Sequence, residues 1–130
     1  VSAVPESSAA LNNVGAQLTE RGQYEDALPY FRKALRIQPS LDEARTALSD
    51  TLAIVALQQT QAGMPGVALI SLREAVRVEP ESAERHNDLG VLLAQMGEYD
   101  EAYFILRQAL ALDPNHQAAR ENLARLEMVR

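Results

Sequence analysis

"GQYEDALPYFRKALRIQP" (residues 22–39) returns twice along the chain, as "GMPGVALISLREAVRVEP" (residues 63–80) and "GEYDEAYFILRQALALDP" (residues 97–114). Each copy opens on Gly, carries Ala five places on and another Ala seven later, and closes on Pro. Upstream of each lies a matching pattern: Leu11, Val14, Gly15 and Leu18; Leu52, Val55, Ala56 and Gln59; His86, Leu89, Gly90 and Leu93. Residues three and four apart share one face of a helix, so these stretches read as helices. The small residues Gly15, Ala56 and Gly90 sit on that face, where a minimal side chain lets a second helix approach. Ala27, Ala68 and Ala102 are their expected counterparts. The turn Gly permits the positive φ that ends a first helix. Glu25, Asp26, Asp100 and Glu101 favour the positive end of a second one. The closing Pro stops it. Each copy is a helical hairpin that cannot bury its face alone, and stacking the copies makes one core.

The closing prolines Pro80 and Pro114 are 34 residues apart, but Pro39 and Pro80 are 41 apart. The turn after Gly63 aligns without gaps, so the seven extra residues (41 less 34) belong to the first helix of the middle copy. Seven residues are close to two helical turns and nearly preserve a buried face. Two registers then fit. Counting back from Pro80, the packing face is Leu52, Val55 and Ala56; counting forward from Pro39, it is Leu48, Ser49 and Leu52. The spacing predicts a single helix over residues 41–62. Its run of six apolar residues, 52–57, also invites a strand or membrane reading. Asp50 and Gln58 bracket that run closely, and it is far short of the roughly eighteen residues a membrane helix needs. No turn residue interrupts residues 41–62, which favours the helix. On ~100° steps, Ala44, Leu48, Leu52 and Val55 share one broad face, Leu57 falls opposite, and Ile54 lies between.

The 130 residues are enough for one domain with a continuous core. A net charge of -6 argues against nucleic acid, whose binders carry a basic stripe. Without Cys there is no disulfide framework, thiolate nucleophile or Cys-ligated zinc. His86 is expected as a packed core residue and His116, after "DPN", as solvent-facing. Neither has a nucleophile or clustered carboxylates beside it, and every Gly has a turn or packing role. The expectation is therefore no enzyme, no metal and no cofactor. Lys33 is the only lysine, a bias that fits a GC-rich bacterial genome. The opening "VSAVPESS" lacks Met and a signal pattern, so the chain reads as a processed or excised fragment, soluble, of the cytoplasm or periplasm.

These motifs resemble the tetratricopeptide repeat (TPR), whose pattern W-x2-L-G-x2-Y, A-x3-F and P recurs over about 34 residues. Leu11, Val14, Gly15, Leu18, Ala27, Phe31 and Pro39 follow it with conservative changes. His86 replaces the Trp in the third copy. The middle copy departs at Gln59 and Leu72, and carries Pro65 where the others have Tyr24 and Tyr99. The resemblance implies an all-α, right-handed superhelical solenoid of antiparallel helix pairs. About seven helices are expected, the first helix of the middle repeat being elongated. The expected divisions are a linker remnant at 1–7 and one domain at 8–130. That domain comprises repeats at about 8–41, 42–82 and 83–114, then a capping helix at 115–130 with Ala119, Leu123 and Leu126 on one face.

The resemblance also implies a concave groove lined by the first helix of each repeat. By alignment it holds Asn12, Ala16 and Thr19; Asp50, Ala53, Leu57 and Thr60; and Glu84, Asn87, Val91 and Ala94. Ala16, Leu57 and Val91 would form an apolar floor, and the amides of Asn12 and Asn87 would meet a peptide backbone. Asn12, Ala53 and Asn87 stand where a basic clamp for chaperone C-terminal tails would need Lys, which argues against such tails. Residues 42–114 hold five Arg against twelve Asp plus Glu. The implied role is a protein-interaction scaffold that takes an apolar or basic peptide, or a helix, of a partner. Two alternatives stay open. One is homo-oligomerisation through the long middle helix or the uncapped end near Ser7; the other is docking within a larger enzyme.

Overall fold

The computed structural model describes residues 7–129, which form seven helices and no strand. They are α1 (Ser8–Glu20), α2 (Tyr24–Ile37), α3 (Asp42–Gln61), α4 (Pro65–Val78), α5 (Ala83–Gln95), α6 (Tyr99–Leu112) and α7 (Gln117–Val129). Successive helices pack as hairpins α1–α2, α3–α4 and α5–α6, and α7 closes the stack against α6. Of the expected linker, residues 1–6 lie outside the described residues. Ser7 belongs to the fold: its Oγ accepts the Ala10 N–H at 3.0 Å and caps α1. Residue 130 of the capping helix also lies outside them.

All three hairpin turns are built alike. Gly22, Gly63 and Gly97 have φ of 76°, 78° and 83°, a conformation that costs other residues a steric penalty. The residue after each glycine donates back to the carbonyl of Leu18, Gln59 or Leu93 at 2.9 Å, which satisfies a helix-end acceptor. Pro65 occupies the first position of α4, where no helical N–H partner is needed.

Glycine at the helix contact is required for a reason that differs from expectation. Ala27 and Ala102 are fully buried, but the group lying over each glycine is the side chain four residues further on. A Cβ on Gly15 would stand 2.6 Å from the Phe31 ring, and one on Gly90 would stand 2.7 Å from Leu106 Cγ. Val14 also departs from its sisters. Val55 packs against α2 and Leu89 against α4, whereas Val14 is 37% exposed, because no described helix precedes α1 to cover it.

The 20 residues of α3 compare with 13 in α1 and 13 in α5. Both candidate registers are buried at once: Leu48, Ser49, Leu52, Val55 and Ala56 are each at most 2% exposed. The N-terminal half of α3 is level with α1, since Ala44 shares a cluster with Leu11. The C-terminal half is level with α5, since Ala56 shares a cluster with Leu89. Side-chain pairs give the offset. Asn87, fifth in α5, meets Asn122, sixth in α7. Arg85, third in α5, meets Asp50, ninth in α3. The second pair is shifted by about seven residues, two turns or ~10.5 Å of helix. The first hairpin is therefore stepped along α3 relative to the other two.

A glycine pair tests the packing. Gly90→Ala is expected to destabilise the fold by about 1–3 kcal/mol, because overpacking against buried Leu106 outweighs the helix propensity gained. Gly66→Ala, whose Cβ would meet nothing within 4 Å, is expected to stabilise it by about 0.4–1 kcal/mol. Urea titration of the two variants decides; equal effects would contradict the packing.

Candidate functional site

A cleft of about 530 Å³ lies between the C-terminal half of α3 and α5. Six of the residues expected in the groove line it: Asp50, Ala53, Leu57 and Thr60 from α3, Glu84 and Val91 from α5. Leu57 is 59% exposed and Ile54 beside it 38%, so both are surface leftovers of a helix whose opposite face is core. Thr60 turns its hydroxyl to its own helix, donating to the Ala56 carbonyl at 2.9 Å.

The other five are not brought into this cleft. Asn12, Ala16 and Thr19 stay on α1, because the two-turn step sets α1 level with the other half of α3. Asn12 is buried with its Oδ1 unpartnered, and the Thr19 hydroxyl donates to the Ala16 carbonyl. Asn87 is buried and its Oδ1 accepts from Asn122 Nδ2 at 3.0 Å, so that acceptor already has a partner in α7. Ala94 lines a shallower depression of about 360 Å³ between α5 and α7.

Sequence reasoning passed over Arg85, Asp88 and Gln95, which also line the cleft. The missed signal was a choice of neighbour on the wheel. On α5 the positions three after Glu84 and Val91 (Asn87, Ala94) turn toward α7; of those four after, Asp88 turns toward α3 and Gln95 lies between, lining both the cleft and the α5–α7 depression. Arg85 sits at the acidic end of the cleft, its Nη1 3.3 Å from Asp88 Oδ2 and its Nη2 3.7 Å from Asp50 Oδ1. Its side chain is largely buried and its Nε has no hydrogen-bond partner, so the guanidinium is held as part of the wall.

Burial pushes the Asp88 carboxyl up to about 6; Arg85 opposes the rise, Glu84 adds to it and His116 opposes it. Burial likewise raises Asp50, with Arg85 opposing and Glu79 adding. His116 corrects the expectation of a solvent-facing ring. Its Nδ1 accepts the Ala119 N–H at 3.1 Å, and its Nε2 lies 2.7 Å from Glu84 Oε2. The two contacts cap α7 and tie it to α5. His86 is buried, with Nδ1 2.8 Å from the Ser82 carbonyl. Among the described residues no group of three or more His, Asp or Glu could hold a metal, and no helix is long and apolar enough to cross a membrane.

Residues 8–41 and 83–116 each match a family model described as tetratricopeptide repeat. No curated protein sequence matches. Among solved structures, the chain is similar to the first TPR of Spaghetti (RPAP3) bound to the HSP90 peptide SRMEEVD. The identity is 17%, covering 95% of this chain and 92% of that one, with a TM-score of 0.62. It is also similar to YrrB, a TPR protein with an unusual peptide-binding site, at 25% identity over 90% of this chain and 57% of that one, TM-score 0.60. MamA matches at 23% identity over 89% of this chain and 64% of that one, TM-score 0.61.

The raised Asp88 carboxyl gives a signed pH effect. A group that holds its proton more tightly when folded contributes stability below the ordinary carboxylate range, and that contribution is lost as pH rises through about 6. Asp88→Asn is expected to remove this slope. The variant should gain on the wild type by about 1–2 kcal/mol between pH 4 and pH 7 in urea titrations, after discounting for partial exposure. A constant difference across that range would contradict the burial argument.

Proposed function

The chain belongs to the tetratricopeptide repeat family, and from that premise we propose that it is a protein-interaction module. In this reading the cleft between α3 and α5 holds an apolar or basic segment, or a helix, of a partner protein. The observation that carries the reading is Leu57. It is a leucine with 59% of its surface in water, set beside Ile54 and Val91 in a cleft whose opposite end is acidic. The core does not need it, and burial under a ligand would recover on the order of 1–2 kcal/mol.

The ligand class draws support from the relatives. The Spaghetti domain is bound to a peptide, and YrrB has a peptide-binding site. The charge of the cleft argues for a different peptide from SRMEEVD. Asp50, Glu84 and Asp88 line one end of the cleft, with Arg85 beside the two aspartates and His116 on Glu84, so the acidic end disfavours an acidic tail and draws in a basic one. Thr60, the one hydroxyl of the wall, is engaged with its own helix, and the charged groups pair with each other. The arrangement supports holding rather than reacting.

Selection from a displayed random-peptide library on the immobilised chain tests the proposal. Enriched peptides are expected to combine apolar with Arg or Lys residues. Leu57→Arg should lose that enrichment while its melting temperature stays within about 2 °C of the wild type, as befits an exposed position. Selection that survives Leu57→Arg, or a variant that unfolds, would refute the role given to Leu57.

A further inference from the structure

The first hairpin has an outer edge, turned away from α3, whose residues have counterparts deeper in the stack. Val14 is exposed there, whereas Val55 and Leu89, at the same place in the other hairpins, are buried. Tyr30 is exposed, whereas Ser71 and Ile105 at its place are buried. Ala10 is exposed, whereas Thr51 at its place is buried and Arg85 mostly so. The charged positions of the edge repeat this pattern. Glu101, at the place of Asp26, takes both guanidinium contacts of Arg73 from the hairpin before it. Glu74, at the place of Lys33, takes those of Arg32. No described helix stands in that position for α1 and α2.

The edge of α2 is also charged differently from its sisters. Asp26 and Lys33 are seven apart, so they share one stripe of the helix, with Tyr30 between them. Lys33 carries three N–H donors, so a contact within its own chain does not exhaust it. The α1 side of the edge has no charged residue from Ser8 through Thr19. A face with an acid and a base on either side of its centre is complementary to itself under a two-fold rotation.

A two-fold axis crossing both helices at the level of Tyr30 sets α2 antiparallel to the α2 of a second copy. Asp26 lies four residues before Tyr30 and Lys33 three after it, so Asp26 of one copy falls within about 1.5 Å, along the helix, of Lys33 in the other. Gly15 lies against the Phe31 ring, so Val14 is level with α2 within about two residues of Tyr30. The same axis therefore brings Val14 onto Val14. Two helices about 20 Å long and about 10 Å wide present a face of roughly 400 Å² in projection. Together the copies bury on the order of 1,000 Å², the low end of what a specific interface needs.

We infer that the chain pairs with a second copy of itself through the outer edge of α1 and α2, across a two-fold axis at Val14 and Tyr30. The contact is isologous and uses the whole edge, so assembly closes at two copies. The small area makes the dimer reversible, with dissociation in the micromolar range. The edge faces away from α3, so the α3–α5 cleft stays open in both copies. The inference stands on the edge alone and does not depend on what the cleft holds.

Sedimentation velocity of the whole chain from 5 to 500 µM tests it. A monomer–dimer equilibrium is expected, with a dissociation constant of about 10–100 µM that rises with salt, and no larger species. Val14→Arg, at an exposed position, should weaken the dimer by about 10-fold or more. Asp26→Lys and Lys33→Asp should each weaken it by about 5-fold or more, because like charges then face each other. The two changes together should restore it to within about 2-fold of the wild type. Leu57→Arg should leave it unchanged. Melting curves at low concentration show whether each variant is folded, and if Asp26→Lys melts α2, Val14→Arg alone decides. A monomer at every concentration, growth beyond two copies, a dimer indifferent to Val14→Arg, or a double charge exchange that fails to restore pairing in folded protein would overturn the inference.

Discussion

One buried face has to serve two registers, and α3 is the helix on which this falls. Leu52 stands at the overlap, fully buried, with the Leu48 side packing toward the first hairpin and the Ala56 side toward the third. An insertion far from a whole number of turns, such as one of about five or nine residues, would rotate one half of the helix away from its partners, since a face recurs only after near-integral turns. The rest of the structure follows from that. The first hairpin meets one half of α3 and the others meet the second half, so the stack is stepped by two turns. On the outer surface the second helices are linked by Arg32–Glu74 and Arg73–Glu101, each a two-point guanidinium–carboxylate contact. These pairs are exposed, contribute little stability, and serve mainly to space the helices.

The candidate cleft lies on the C-terminal half of α3, the part that is level with α5. There Leu57 and Ile54 stand beside Val91 without a covering helix. Below them the walls turn acidic, and Arg85 is recruited between Asp50 and Asp88 to offset part of the charge. Burial of Asp88 raises its carboxyl to about 6, with that arginine opposing the rise. Packing and the proposed recognition thus draw on opposite faces of one helix.

Much of this was legible in the sequence. The three glycine turns, the hairpin pairs and an α3 ending within a residue of its observed limits all follow from spacing, because periodicity reports directly which face is buried. The choice between the two registers of α3 was not legible, because both sets are apolar apart from the small Ser49 and the structure buries both. Contacts between successive first helices were also hidden. Asn87 and Asn122 are 35 residues apart, and nothing local says that α7 reaches one and leaves Asn12, its counterpart, beside Ala47-bearing α3 with an unpartnered oxygen. Arg85 escaped because adjacent helix positions diverge by about 100°, and only the packing decides which neighbour faces the cleft. His116 was misplaced because a residue in a polar "DPN" turn reads as solvated until the carboxylate of Glu84, 32 residues earlier, is brought to it.

The central claim is that α3 is one cooperative element joining both halves of the core. Amide hydrogen exchange, resolved residue by residue along α3 under native conditions, tests it most directly. The account predicts that the buried amides from Leu48 through Ala56 exchange with a single free energy, equal to that of global unfolding measured by denaturant. Two plateaus divided near Leu52, with one half opening at lower cost than the other, would show two helices packed end to end and would contradict it.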